Sequence, residues 1–160
     1  MAPADTRVVT LCDREADIYE FLVEAQRLKA KFVLRAAWDR HISHDDFPRL
    51  RPLLEGHAVA GYLTLEFPAR EKRRQRQVQL ALRFTTVTLE PPQRHRAAVP
   101  EALPSLSLYA VHVKEVDPPA DEPAIEWLLL TNIPVHTVAE ALQRVEWYRR
   151  RWLVEELSAV

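Results

Sequence analysis

The sequence predicts an α/β domain (α+β overall), and three features of the chain indicate this class. A short apolar run, "RVVTLC", is followed by a helical pattern and a second short apolar run, "KFVLRAA". A strand, a helix and a strand in this order form a βαβ unit with parallel strands. The middle of the chain is rich in β-forming residues, and its end carries a long helical pattern. We expect one domain, because 160 residues that are 48% apolar suffice for one core.

Residues 1–40 contain the predicted βαβ unit. The segment from Asp13 to Lys31 has apolar residues at helical spacing, which predicts a helix of roughly five turns. Cys12 is the one cysteine, and no motif partner accompanies it, so it is interpreted as a small buried residue at the end of a strand. The predicted buried stripe of the helix consists of Ala16, Ile18, Phe21, Leu22, Ala25 and Leu28.

Residues 55–134 contain four β-rich segments, separated by proline-rich or polar breaks such as "EPPQRHR" and "DPPADEP". Val78, Leu80, Leu82 and Phe84 alternate with more polar residues, as expected for a strand with one buried face. These segments predict an antiparallel sheet of about four strands. They are "HAVAGYLTLEF", "RQVQLALRFTTVTLE", "LSLYAVHVKEV" and "EWLLLTN".

Residues 136–160 are predicted to form one helix. Thr137 with Glu140 three residues later is the pattern of a capping box. An acidic residue, Glu155, continues the apolar stripe of this helix, which is unusual for a merely solvated face. The predicted stripe is Ala141, Val145, Tyr148, Trp152 and Glu155.

The charges are segregated along the chain, although the formal net charge is −1. The run "AREKRRQRQ" lies between two predicted strands, so it is interpreted either as a hairpin tip that contacts DNA phosphates or as a solvated loop. The single cysteine indicates a reducing compartment, and no signal peptide or membrane span is evident, so a cytoplasmic protein with no membrane partner is expected. The basic residues of the run are Arg70, Lys72, Arg73, Arg74 and Arg76.

Two carboxylates are candidate metal ligands. Asp13 follows the first strand, at the sheet edge where α/β proteins often bind ligands, although it also suits a helix N-cap. Glu155 shares a helical face with Tyr148 and Arg151, although a surface ion pair with Arg151 is an alternative. Carboxylates are the ligands that Mg²⁺ or Mn²⁺ prefers, and a phenol with a guanidinium suits a phosphate beside the metal.

The stretches "CDREADIYEFL" and "KFVLRA", and then "WLLLTNIPV" and "YRRRWLVEEL", closely resemble the DDE transposases of bacterial insertion sequences. The most similar group carries a Tyr-(2)-Arg-(3)-Glu-(6)-Lys signature and moves DNA by cut and paste through hairpin ends. The resemblance covers essentially the whole chain. It implies a partial ribonuclease H-like core, made of the βαβ unit and the final helix, with residues 55–134 as a β-rich insertion.

The resemblance also implies roles for individual residues. Asp13 matches the second catalytic aspartate and Glu155 the catalytic glutamate, and both are metal ligands for Mg²⁺ or Mn²⁺ in such enzymes. Tyr148 and Arg151 match the residues that hold the phosphate at the DNA end.

Two further residues match DNA-contacting positions of that family. Trp127 matches a tryptophan on which a flipped base stacks, and the alternative is an ordinary core aromatic. Arg35 matches a DNA-contacting arginine, and the alternative is a solvated charge at the end of a strand.

The sequence also departs from the family pattern. The first catalytic aspartate has no match, since Asp5 is too near Asp13 in sequence to lie on a separate strand, and the signature lysine would lie beyond Val160. The family's dimerisation region is not matched either. We therefore expect a truncated transposase fragment that binds transposon-end DNA, binds metal weakly and is inactive alone. The alternatives are a non-catalytic DNA-binding or regulatory remnant, and a soluble domain with only a historical likeness.

Overall fold

The computed structural model describes residues 8–12, 18–69, 74–92 and 103–158, with side chains given as far as Leu153. These ranges contain six strands and three helices. The strands are β1 (Thr10–Cys12), β2 (Phe32–Arg35), β3 (Gly61–Phe67), β4 (Arg76–Leu89), β5 (Leu106–Glu115) and β6 (Glu126–Thr131). The helices are α1 (Tyr19–Arg27), α2 (Leu50–Glu55) and α3 (Val138–Ser158).

All six strands belong to one sheet, in the order β1-β2-β6-β5-β4-β3. β1 and β2 are parallel and are joined through α1, which confirms the predicted βαβ pairing. The other neighbours are antiparallel, which confirms the predicted antiparallel strands. The pairing of β2 with β6 joins the two groups, so the protein is a mixed α+β fold built on a single continuous sheet.

Helices cover part of each face of the sheet and bury a hydrophobic cluster on each side. Phe32 and Leu34 of β2 belong to a hydrophobic cluster beneath α1 and α2, whereas Val33 between them belongs to a second cluster beneath α3. This alternation follows from the two-residue period of a strand. The helical residues buried on the first face are Tyr19, Leu22, Ala25, Leu50, Leu53 and Leu54, and those on the second are Ala141, Val145 and Tyr148.

Helix α1 is shorter than predicted, and it is rotated about its axis so that its buried face differs from the predicted one. It has 9 residues, and Ile18 before it has an extended backbone. Tyr19 turns inward and its hydroxyl donates to the carbonyl of Pro104 at 2.7 Å. The predicted stripe is therefore wrong in part: Leu22 and Ala25 are buried, but Ile18, Phe21 and Leu28 are exposed, and Ala16 lies outside the described residues.

The end of α1 explains its length. Lys29 adopts the left-handed conformation with φ of 57°, and the N–H of Ala30 donates back to the carbonyl of Ala25 at 2.9 Å. This is the hydrogen bond of a Schellman helix end, in which glycine is the usual residue. The chain then enters β2 directly.

Helix α2 was not predicted, because six residues are too few to show a helical period. Pro52 lies in its first turn, where a missing N–H breaks no intrahelical bond. A carboxylate oxygen of Asp39 accepts the N–H of Arg51 at 2.8 Å and so satisfies one free donor of that turn.

Helix α3 begins at the predicted capping box. The Thr137 hydroxyl oxygen accepts the N–H of Glu140 at 3.1 Å, and the Glu140 carboxylate accepts the N–H of His136 at 3.0 Å. The stripe residues Ala141 and Tyr148 are buried as expected. Within the described ranges, neither α3 nor another helix combines the length and the apolar character needed to cross a lipid bilayer.

The capping box of α3 gives a stability prediction. Thr137→Ala removes the acceptor for the Glu140 N–H, so we expect the free energy of unfolding to fall by about 1 kcal/mol in urea denaturation. Thr137→Ser keeps the hydroxyl and serves as the control. An equal loss in the serine variant would show that the methyl group matters and the cap does not.

Candidate functional site

One end of the sheet collects most of the candidate residues. β1 and β2 are parallel, so their carboxyl ends lie together, and antiparallel β6 begins at the same end. Arg35 is the last residue of β2, and its guanidinium donates to the carbonyl of Glu126, the first residue of β6, at 3.3 Å. Asp13 follows Cys12 at the end of β1, but Asp13 itself lies outside the described residues. We call this region the β1–β2 carboxyl end.

Helix α3 reaches the same end through an aromatic cluster of four rings. The ring centroids of Trp127 and Tyr148 are 5.1 Å apart, and those of Phe67 and Trp152 are 4.9 Å apart. Trp127 also lies 6.0 Å from Phe67 and 5.9 Å from Trp152. Glu155 lies on α3 one turn beyond Trp152, with its side chain outside the described part of the chain.

The aromatic cluster buries two of the candidate residues. Trp127 is 2% exposed and Tyr148 is 1% exposed, whereas Arg151 is half-buried. In this conformation Trp127 has the surroundings of a core aromatic, and a base would reach its face only after Trp152 or Phe67 had moved. The roles of Trp127 in base stacking and of Tyr148 and Arg151 in phosphate binding therefore stay predictions.

The two described arginines of the basic run, Arg74 and Arg76, have different surroundings. Arg76 is largely buried and forms ion pairs with Glu115 and Glu122, the latter at 2.7 Å. Burial raises the pKa of Glu115, but hydrogen bonds from Arg76 and from the N–H of Ile125 outweigh it, so the net pKa is lowered. Arg76 thus fastens β4 to the connection between β5 and β6, and its charge is already compensated.

Arg74, in contrast, has a side chain that is 81% exposed, 3.5 Å from the exposed Asp121. Exposed ion pairs of this kind contribute little to stability, so the Arg74 guanidinium can exchange partners at little cost. Arg70, Lys72 and Arg73 lie outside the described residues.

A buried polar network at the same end of the sheet was not predicted from the sequence. The Nε2 atom of His112 is 2.9 Å from a carboxylate oxygen of Glu126, whose other oxygen pairs with the guanidinium of Arg51. His112 is fully buried, on the face that α2 covers. The one signal for it was a histidine at a core-facing position of an otherwise apolar strand, next to Val111 and Val113.

Burial acts in opposite directions on the pKa values of His112 and Glu126, and both pKa values are lowered overall. Burial lowers the pKa of His112 below its usual 6.5, although its hydrogen bond with Glu126 acts against this. Burial alone would raise the pKa of Glu126, but His112 and Arg51 lower it overall. Near neutral pH the network therefore consists of a neutral imidazole, a carboxylate and a guanidinium.

The described residues form no group of three or more His, Cys, Asp or Glu side chains that could hold a metal ion. The two ligands expected from the sequence, Asp13 and the carboxylate of Glu155, lie outside that part of the structure. Their chemistry fits a hard divalent cation such as Mg²⁺, because carboxylate oxygens are its preferred donors.

A surface cavity of about 410 Å³ lies at the opposite end of the sheet. Its lining combines polar residues such as Ser43, Thr86 and Ser107 with apolar ones such as Ile42 and Val87, beside the carboxyl end of β4 and the start of β5. It is therefore separate from the β1–β2 carboxyl end, where the candidate residues lie.

None of the known protein-family models matches this sequence.

The buried histidine gives a prediction for pH dependence. His112 binds a proton more readily in the unfolded chain, because its pKa is lowered in the folded protein. Its contribution to stability is therefore complete above pH 6.5 and is lost as the pH falls from 6.5 towards the lowered pKa. We expect the free energy of unfolding to rise with pH across this window, measured by urea denaturation between about pH 5 and 8.

The control for this prediction is His112→Gln, which keeps a hydrogen-bonding side chain but does not titrate. The slope between stability and pH is expected to be smaller in this variant. An unchanged slope would assign the pH dependence to other groups.

Proposed function

We propose that this chain is part of the catalytic domain of a DDE-type transposase, which cuts and joins phosphodiester bonds at the ends of a mobile DNA element. One observation carries the proposal. The strand that precedes Asp13, the arginine that ends β2, the tryptophan in the second position of β6 and the helical segment that bears Glu155 all meet at one end of one sheet. The first and the last of these elements lie more than a hundred residues apart in the sequence, so their convergence depends on the fold.

The topology supports a ribonuclease H-like core as part of this proposal. β1 and β2 are parallel neighbours joined by α1, and α3 packs over the opposite face and ends near the carboxyl end of β1 and β2. In such a core, acidic residues at the strand ends and on the last helix share one metal site. β3 to β6 then belong to a β-rich insertion that extends the same sheet.

In the proposed reaction the residues have distinct tasks. Asp13 and Glu155 hold the divalent cations, and Arg151 with Tyr148 holds the phosphate of the DNA end. The cations supply the usual chemistry of such sites: they activate the attacking water and stabilise the leaving oxygen. Arg35, at the rim of the same end, neutralises a neighbouring phosphate.

The metal ligands give a direct test. Asp13→Asn and Glu155→Gln each remove one anionic ligand, so we expect each to weaken Mn²⁺ binding by about tenfold or more, measured by electron paramagnetic resonance of free Mn²⁺. Metal-dependent nicking of supercoiled plasmid that both substitutions abolish would show, in addition, that this chain cleaves DNA.

Matched controls are available on the surface. Asp117→Asn changes a carboxylate whose φ of 51° asparagine also tolerates, and Glu66→Gln changes an exposed strand residue. Neither is expected to change Mn²⁺ affinity. If Asp13→Asn and Glu155→Gln bind Mn²⁺ as the unaltered chain does, the metal site is not built from these residues.

A second candidate function, DNA binding without catalysis, is favoured by the β3–β4 hairpin. Phe67 pairs with Arg76 across these two antiparallel strands, so the part of the basic run before Arg76 belongs to the connection of a hairpin. The exposed Arg74 belongs to it. A basic hairpin tip at the β1–β2 carboxyl end can lie along the phosphates of DNA that enters this end.

This candidate function implies a salt dependence of DNA binding. We expect the triple variant Lys72→Gln, Arg73→Gln, Arg74→Gln to lower the slope of log affinity against log salt by about 0.9 for each phosphate that the protein no longer neutralises. The measurement is fluorescence anisotropy with duplex DNA at several salt concentrations, without divalent metal.

The control carries the same number of charge changes at the other end of the sheet. Arg27→Gln, Lys29→Gln and Lys31→Gln lie at the end of α1 and before β2, and all three side chains are exposed. Equal changes in slope for both triple variants would indicate binding through overall charge, with no role for the hairpin.

A further inference from the structure

Part of one edge of β4 has no partner strand. β3 pairs with β4 from Arg76 to Leu82, and further along the chain an isolated bridge joins Leu89 to Ile42. Between these two contacts, among the described residues, β5 alone pairs with residues 83–87, and it does so on the other side of β4. We call residues 83–87 the open edge of β4. A strand edge with unpaired N–H and C=O groups is a template for a further strand.

Hydrogen bonds on either side of β4 show which residues face this edge. The carbonyl of Gln79 accepts the N–H of Val116, directly after β5, at 2.9 Å, so odd-numbered residues of β4 face β5. The carbonyl of Leu82 accepts the N–H of Ala60 at 2.8 Å, so even-numbered residues face the other side. The pairing of β4 with β5 continues without a bulge through residues 80–89, so this alternation holds along the whole open edge.

Phe84 and Thr86 are the even-numbered residues of the open edge. Each directs its N–H and its C=O away from β5, and no backbone group in the described part of the chain bonds to them there. Thr86 is exposed and Phe84 is half-buried. Just beyond them the carbonyl of Thr88 accepts the N–H of Ser43 at 2.9 Å, which closes the edge again. Two donors and two acceptors of β4 are therefore available to a ligand.

The cavity of about 410 Å³ lies beside this open edge. Because neighbouring residues of a strand face opposite sides, its lining has an apolar side and a more polar side. Val87 belongs to the hydrophobic cluster beneath α1 and α2, whereas Thr86 pairs with Tyr109 on the opposite face. The apolar side includes Ile42, Leu53 and Val87, and the more polar side includes Thr86, Ser107 and Tyr109.

The length of the gap limits what can fill it. From Leu82 to Thr88 the strand rises about 20 Å, at about 3.3 Å per residue. Ala60 and Ser43 lie at the two ends of this gap, in the line that an added strand would follow. A long strand of a second folded copy would collide with them, whereas an extended segment of about four residues fits between them.

We propose that the open edge of β4 is a docking site for an extended peptide segment of a partner protein, which adds a short antiparallel strand to the sheet. Two of its residues exchange backbone hydrogen bonds with Phe84 and Thr86. Directly opposed residues share a face, so these two residues carry polar side chains beside Thr86 and Tyr109. The residues that alternate with them carry apolar side chains beside Val87. The proposal requires neither DNA nor a metal ion, and it is independent of the proposed function.

The first test uses the full chain and a synthetic peptide, Lys-Thr-Val-Thr-Val-Lys, with blocked ends and a fluorescent label. We expect saturable binding, measured by fluorescence anisotropy. In the proposed register the threonine N–H groups face β4 and the valine N–H groups face away. N-methylation of both threonines is therefore expected to weaken binding by about tenfold or more, because each lost hydrogen bond costs a factor of several.

N-methylation of both valines is the matched control, since it adds the same number of methyl groups on the other side of the peptide. This control is expected to keep most of the affinity. Equal losses for the two methylated peptides, or no saturable binding of the unmethylated one, would overturn the proposal.

The second test changes the protein. Thr86→Pro removes one N–H that faces the gap, and proline is tolerated in a strand where its N–H side has no partner. We expect this variant to bind the peptide at least about fivefold more weakly. Thr86→Val keeps the N–H and the shape of the side chain, so it is expected to bind nearly as the unaltered chain does. Equal affinities of the two variants would contradict the proposal.

Circular dichroism melts establish that both variants are folded. If Thr86→Pro does not fold, the two methylated peptides decide the question with the unaltered chain. Sedimentation velocity tests a second copy as the occupant: Thr86→Pro is expected to leave the sedimentation coefficient unchanged. Self-association that this substitution removes would assign the open edge to contacts between copies, and the proposal of a peptide partner would fail.

Discussion

The pairing of β2 with β6 is the constraint on which the rest of the structure depends. It aligns Val33 with Thr131 and Arg35 with Leu129, and so joins the parallel βαβ unit to the antiparallel strands. Side chains reinforce it: the Thr131 hydroxyl donates to the carbonyl of Phe32 at 2.7 Å, and Asn132 accepts the N–H of Phe32 at 3.0 Å. A slip of one residue would exchange the buried faces of β6, so both cores specify this register. The same register places Arg35 beside Glu126 and thereby defines the β1–β2 carboxyl end.

Much of this fold could be predicted wherever a local pattern determines the structure. The extents of β4 and β5 follow their alternating apolar residues, that of β6 follows a continuous apolar run, and α3 begins at the capping box of Thr137. The predictions are wrong where contacts between residues far apart in the sequence determine the structure. The Tyr19 hydroxyl donates a hydrogen bond to Pro104, a residue 85 positions away, and this contact sets which face of α1 is buried. The periodicity of a sequence does not reveal such a partner. α2 depends on Asp39 for its first turn, and it is too short to carry a pattern of its own.

The order of the motifs of the candidate site could be predicted from the sequence, but the burial and the contacts of its residues could not. The fold compensates some charged side chains with ion pairs and leaves others exposed. Arg76 belongs to the basic run, yet Glu115, 39 positions away, compensates it, whereas the neighbouring Arg74 stays exposed. Trp127 is buried because β3 and two turns of α3 supply the rings that surround it. The charge and aromatic content of the sequence therefore do not reveal which of these residues the fold leaves accessible.

A base that stacked on Trp127 would first have to displace the aromatic rings around it. Trp127 makes contacts with three aromatic rings, each worth about 0.5–1.5 kcal/mol beyond the area it buries. A stacked base returns about 1–3 kcal/mol, so opening the cluster for a base alone gives little or no net gain. Under the proposed function, binding of a DNA phosphate by Tyr148 and Arg151 would have to supply the free energy that separates the rings and exposes Trp127.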